Sequence, residues 1–127
     1  MNVLFLCTGN ACRSQMAEAF ARILGGDEVE AHSAGSRPSG RVNPKAIASM
    51  REIGYDLTTH RSKSLSEIPS GDYAAVVTMG CGDECPSVPA RIREDWDIPD
   101  PKEMGPEEFR RVRERIRDQV RDLLSRT

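Results

Sequence analysis

Aromatic residues are scarce: one Trp, two Tyr and three Phe make up 5% of 127 residues. So few rings leave little on which bases can stack. The balance of 18 Lys+Arg against 20 Asp+Glu, net −2, offers no basic face to a phosphate backbone. Nucleic acid is therefore not an expected partner. No run approaches the roughly 18 apolar residues of a membrane span. The opening stretch Met1 to Cys7 lacks a basic flank, and its apolar run is too short for a secretory signal. The expectation is a cytoplasmic protein without membrane contact. Repeats, low-complexity stretches and linkers are also missing. With 38% hydrophobic and 30% charged residues, the composition is that of an ordinary folded chain. At roughly 100–200 residues per domain, residues 1–127 make one domain. Such a domain buries about two-thirds of its unfolded surface, enough to need no disulfide or metal staple.

Against that background the four cysteines stand out. Cytoplasmic thiols stay reduced, so cysteines in a self-sufficient core point to metal or thiol chemistry.

The apolar pattern alternates between two periods. Val3-Leu4-Phe5-Leu6 reads as a fully buried strand bounded by Gly9. From Ser14, Met16, Ala17, Phe20, Ile23 and Leu24 recur at helical spacing until Gly25-Gly26. Val29 to Ser33 is a second strand. Asn43-Pro44 opens a second helix with Ala46, Ile47, Met50 and Ile53 on one face and Gly54 at its end. Tyr73 to Met79 is a third buried strand, residues 80–90 a Gly/Cys/Pro loop, and Arg91 to Asp95 a weak fourth strand. Pro106 to Ser125 is a last helix, its apolar stripe facing the core and its charges, Arg110 to Arg121, a solvated face. The fold class this predicts is α/β: a four-stranded parallel sheet with helices on both faces and ligands at the carboxyl ends of the strands.

The first of those ends is Cys7. Between strand and helix lies Cys7-Thr8-Gly9-Asn10-Ala11-Cys12-Arg13-Ser14. A loop there can turn successive backbone amides inward, and the helix N-terminus adds positive potential, which makes a cradle for a tetrahedral oxyanion. Arg13 supplies a planar fork that grips two oxygens. The same field favours a thiolate at Cys7, and the Ser14 hydroxyl is placed to donate to its sulfur. A nucleotide P-loop is excluded because no Gly-Lys-Ser/Thr follows, and a dinucleotide loop because its glycine spacing is absent. The plain alternative is a buried Cys at a strand end beside a surface Arg.

Cys7-x5-Arg13-Ser14 after a strand resembles the signature loop of low-molecular-weight protein tyrosine phosphatases and of the arsenate reductases that share their fold. The resemblance runs along most of the chain. Ser14 to Phe20, Ser33-Ala34-Gly35, Val42 to Ala46 and Glu108 to Arg113 look like the reductase branch. It implies that Cys7 is the nucleophile and that Arg13, with the amides of Thr8 to Ser14, binds arsenate or its analogue phosphate. Asn10 and Ser14 would orient the loop, and Cys12 would be structural. The Asp of the family's Asp-Pro loop is Asp100, implied as the general acid, with Asp97 as fallback. On spacing alone Asp100-Pro101 is an ordinary turn, although each Pro does hold its neighbour extended. Lys102, Glu103 and Met104 follow, where phosphatases of this fold usually place an aromatic ring for a phenyl slot.

Reduction of arsenate takes two electrons, which thiols deliver as one disulfide. Cys81 is the expected resolving thiol and Cys85 the expected relay. Packing cysteines and a zinc site are the competing readings, the latter with only His32, His60 and Cys12 as further ligands. Thioredoxin-coupled members of the family place their second Cys directly after the strand, where this chain has Gly80. Gly-Cys-Gly-Asp-Glu-Cys-Pro is similar to a branch that passes the arsenic adduct to a small thiol. The resemblance thus implies no bound metal or cofactor. It implies an external reductant: thioredoxin, a low-molecular-weight thiol such as mycothiol, or a mycoredoxin- or glutaredoxin-type protein. His32 and His60 read as isolated structural residues. Lys63 stands where some members bind potassium, which predicts turnover that ignores that ion.

Overall fold

The computed structural model describes residues 1–80 and 88–127. Four strands, β1 (Asn2–Cys7), β2 (Glu30–Gly35), β3 (Tyr73–Thr78) and β4 (Ala90–Asp95), form one sheet in the order β2-β1-β3-β4. Every pairing is parallel, with Cys7 opposite Gly35 and Leu6 opposite both Ala34 and Thr78. The expected four-stranded parallel sheet holds. β1 and β3 are central and buried on both faces, whereas β4 lies on the edge with half-buried residues alternating with exposed ones. That is why its sequence signal is weak.

The helices are α1 (Arg13–Gly25), α2 (Pro44–Arg51) and α3 (Pro106–Ser125). Side chains of a strand alternate between faces. Val3, Phe5 and Cys7 join Met16 and Phe20 of α1, Met50 of α2, and Phe109, Ile116 and Leu123 of α3 in the larger core. Leu4 and Leu6 meet Ala34, Tyr73, Val76 and Val88 on the other face, where Leu65 of the 3₁₀ turn Leu65–Glu67 and the adjacent Ile68 complete the cover. Both faces are covered, but among the described residues all three α-helices share one of them.

Three details depart from expectation. Ile23 and Leu24 are 47% and 38% exposed, and Ile53, beyond the end of α2, is 41% exposed. Each continues the period of an apolar stripe past the surface on which that stripe packs. Arg113 is buried rather than solvated: Nη1 donates to the Ser49 carbonyl (2.8 Å) and to Glu52 (2.7 Å), clamping α3 to α2. Glu52, which also receives Arg110, is held down at about 2 by those two guanidiniums. Asn43 caps α2 as expected, accepting from the Lys45 amide at 2.8 Å, with Pro44 in the first turn. Among the described residues no helix is long and apolar enough to cross a membrane.

Candidate active site

The loop from Thr8 to Cys12 is anchored by its carbonyls. Thr8 O accepts from the Arg37 amide, Gly9 O from the Ser39 amide, Ala11 O from the Asn43 amide and Cys12 O from the Met16 amide, at 2.9, 2.9, 3.0 and 2.9 Å. Asn10 O accepts from Gln15 Nε2 at 3.1 Å. In a trans peptide the following N–H points opposite to the carbonyl. Pulling five successive carbonyls outward thus turns the amides of residues 9 to 13 the other way, which gives the oxyanion cradle read from the sequence its physical basis.

Asn10 makes the turn with φ 49°, a left-handed conformation that asparagine tolerates better than most residues. It is fully buried. Its Nδ2 donates to Ser14 Oγ at 2.9 Å, and its Oδ1 accepts from Gln15 Nε2 and the Lys63 amide. Ser14 Oγ lies 2.8 Å from Cys7 Sγ. Because Ser14 already accepts from Asn10, its own proton is free for the sulfur. Gly35 lets β2 close on this loop: a Cβ there would stand 2.6 Å from Thr8 O and 3.0 Å from Asn10 N.

A cleft of roughly 410 Å³ opens over the loop, lined by Cys7, Thr8, Gly9, Ala11, Cys12 and Arg13 and, across it, Arg41, Asp100 and Lys102. Arg13 Nη1 donates to the Ile98 carbonyl at 3.0 Å, and Nη2 stands 3.9 Å from Asp100 Oδ2. Asp100 caps the turn Pro101–Glu103 by accepting from the Lys102 amide. Lys45, at the start of α2, donates to the carbonyls of Lys102 and Met104 at 2.7 and 3.2 Å, tying the segment that follows Asp100 to the same helix cap. Asp97 is not among the residues that line the cleft. Cys12 is 6% exposed; burial, then the charges of Asp100 and Cys7, push its thiol up to about 12. Cys81 and Cys85 lie outside the described residues.

Behind the loop is a buried polar network that corrects the reading of His60 as isolated. Gln15 Nε2 faces three acceptors: Asn10 O, Asn10 Oδ1 and Arg61 O. Its Oε1 therefore faces His60 Nδ1 at 2.9 Å, and that nitrogen carries the proton. Tyr55 OH then donates to His60 Nε2 at 2.6 Å. Glu18, whose side chain is 4% exposed, lies 3.6 Å from both His60 Nδ1 and Lys63 Nζ and accepts from Ser33 at 2.6 Å. Burial works to raise Glu18, yet His60, the Ser33 hydroxyl, Lys63 and Arg22 together hold it below the usual carboxylate range. Burial lowers both His60 and Lys63, with Glu18 opposing. His32 likewise has a carboxylate near it, Glu30 at 3.6 Å. Among the described residues no cluster of three or more His, Cys, Asp or Glu could hold a metal ion.

Gln15, Gly35 and Lys45 escaped the sequence reading as site residues. Gln15 and Lys45 lie inside segments that already resembled the family, but their partners are as many as 59 residues away.

A cysteine at a strand end, carried into a carbonyl-anchored loop and faced by an Arg–Asp pair, is the arrangement expected of a protein of the phosphatase fold. The chain belongs to the low molecular weight phosphotyrosine protein phosphatase family, whose pattern matches residues 2–127. It is 39% identical to the glutaredoxin arsenate reductase of Synechocystis over 127 residues, 98% of this chain and 96% of that one. With an arsenate reductase of Staphylococcus aureus it shares 40% identity over 128 residues, at the same coverage of both. The solved structure of an arsenate reductase in the phosphate-binding state superposes with a TM-score of 0.87 at 37% identity, covering 98% of this chain and 97% of the other.

Proposed function

We propose that this chain, as a single domain over residues 1–127, reduces arsenate to arsenite in the cytoplasm and so serves arsenic detoxification. Arg13 and the amides from Thr8 to Ser14 hold the oxyanion. The Cys7 thiolate attacks arsenic; an As–O bond breaks, and Asp100 protonates the departing oxygen, which leaves as water. A second thiolate then attacks the Cys7 sulfur. The S–As bond breaks, its electron pair stays on arsenic, and As(V) becomes As(III) as the two sulfurs join in a disulfide. Cys81 is assigned that second thiol, and Cys85 relays the disulfide outward. Thioredoxin, a glutaredoxin- or mycoredoxin-type protein or a small thiol such as mycothiol restores the reduced enzyme.

Cys7, Arg13 and Asp100 would serve a phosphate ester equally well. The observation that carries the reading is the similarity, along nearly the whole chain, to proteins named arsenate reductases. Lys102, Glu103 and Met104 supply no ring against which a phenyl group could lie, which points the same way.

The test is a single turnover: fully reduced protein, excess arsenate, no reductant. The expected result is one arsenite per chain with loss of two of the four thiols. If all thiols persist and arsenite forms only on adding an external thiol, Cys81 is not the resolving group. Should no thiol yield arsenite while phenyl phosphate is hydrolysed, and hydrolysis survive replacement of both Cys81 and Cys85 by Ser, the enzyme is a phosphatase.

A further inference from the structure

Besides Arg13, the cleft is lined by two more cations, Arg41 and Lys102. Both are exposed, and neither side chain has a hydrogen bond or ion pair among the described residues. Their backbones, by contrast, are fixed. Arg41 lies between Ser39 and Asn43, whose amides donate to the Gly9 and Ala11 carbonyls of the anion loop at 2.9 and 3.0 Å. Its own carbonyl accepts from Ser39 Oγ at 2.8 Å. The Lys102 amide donates to Asp100 Oδ1 at 3.1 Å, and the Lys102 carbonyl accepts from Lys45 Nζ at 2.7 Å. Elsewhere the chain spends arginines on carboxylates: Arg113 on Glu52, Arg117 on Glu114, Arg126 on Glu94. At the cleft, two cations are anchored by the backbone and left unpaired at the head.

The charge of the site gives that pattern a use. Arg13 is the single cation of residues 7–14, and Asp100, 3.9 Å away, offsets it in part. A doubly charged oxyanion must approach a Cys7 thiolate, itself a third negative charge. Arg13 alone leaves that encounter net negative. With Arg41 and Lys102, three positive charges face three negative ones once Asp100 holds the proton it is to donate. Like charges gathered at a cleft also focus its field and concentrate a ligand of opposite sign. We propose that Arg41 and Lys102 are an electrostatic guide: they draw the doubly charged tetrahedral anion into the cleft and offset its repulsion by the thiolate. They do not act on the bond that breaks. This rests on the reading of Thr8 to Ser14 as the oxyanion site.

The experiment follows single turnovers of arsenate by the reduced full-length protein at about 20 mM and about 300 mM NaCl, where screening differs strongly. Arg41→Gln/Lys102→Gln is expected to lower the ratio of limiting rate to half-saturating arsenate by about tenfold at low salt. At high salt it should approach the unaltered protein, and the limiting rate should stay within about twofold throughout. Arg91→Gln/Arg111→Gln is the control for net charge. Both of its arginines are exposed, outside the cleft and unpaired among the described residues. Three results overturn the proposal: no loss at low salt, an equal loss at both salts, or the same loss in the control. Inorganic phosphate titrated by calorimetry decides the matter without turnover, since the affinities of the two proteins should differ at low salt and converge at high salt. If the unaltered protein binds phosphate but forms arsenite with no thiol, the reductase reading fails and phosphate still decides this one. If phosphate affinity is equal in both proteins at low salt while arsenite forms, the guide fails and the reductase reading stands.

Discussion

At the scale of the residue, two cysteines five positions apart have opposite chemistry. Cys7 faces the Ser14 hydroxyl and lines the cleft under the loop's inward amides. Cys12 is buried, and the charges of Asp100 and Cys7 reinforce burial in keeping it a thiol up to about 12. A thiol attacks electrophiles far more slowly than a thiolate. At neutral pH, iodoacetamide should therefore label Cys7 and spare Cys12, read by peptide mass spectrometry. Cys12→Ala should keep turnover within about threefold, since its loss is one of packing. Labelling of Cys12 at a rate close to that of Cys7 would contradict this. The loop's spacing made Cys7 and Arg13 legible because both lie within one short segment. That Asn10 is the residue turned left-handed, and that Gln15 holds it, depends on Lys63 and His60, brought in from far along the chain.

At the scale of the element, the site is the meeting of three chain ends. β1 delivers the loop, β2 ends against it at Gly35, and the N-terminus of α2 fastens both the loop, through the Asn43 amide, and the Asp100 segment, through Lys45. Gly35 is the tightest of these joints, with backbone atoms on the far side of its missing Cβ. Gly35→Ala is expected to cost about 1–3 kcal/mol in stability, as overpacking of a rigid site does. Turnover should fall by more than about tenfold, because a displacement near 1 Å at a catalytic loop is that costly. Denaturant unfolding and single-turnover kinetics measure the two effects. A variant as stable and active as the original would show that the loop yields freely. Strand and helix identities were plain from periodicity, and the caps at Asn43-Pro44 and Gly25-Gly26 marked the ends. The ends of the apolar stripes misled: Ile23, Leu24 and Ile53 continue the period but not the contact.

At the scale of the whole molecule, the buried network of Glu18, His60, Tyr55, Gln15 and Lys63 links stability to pH. His60 is held below its ordinary value, first by burial, with Glu18 pulling the other way. The unfolded chain therefore takes up that proton before the folded one does, and stability declines as pH falls past the ordinary histidine value, about 6.5. Glu18 is also lowered; its contribution is intact above the ordinary glutamate value, about 4.3, and is lost as pH falls through the folded value. Both slopes have the same sign in successive windows. Melting temperature should fall in two stages on acidification from pH 7; His60→Gln should flatten the upper stage and, because His60 is one of the groups that hold Glu18 down, shrink the lower one. An unchanged upper stage in His60→Gln would remove His60 as its source. The clamp of Arg113 on Ser49 and Glu52 belongs to the same scale, since it joins α3 to α2 across more than sixty residues of chain.

The sequence by itself determined the parallel α/β sheet, the order of its elements, and the local chemistry of residues 7 to 14. Those features depend on neighbours along the chain: period, capping and the spacing of one loop. Tertiary structure alone decided that His60 shares a buried pocket with Glu18, and it brought Asp100, already singled out by the family resemblance, to within 3.9 Å of Arg13 across the cleft. Such choices depend on distances between segments remote in sequence, which hydrophobic pattern and propensity do not encode.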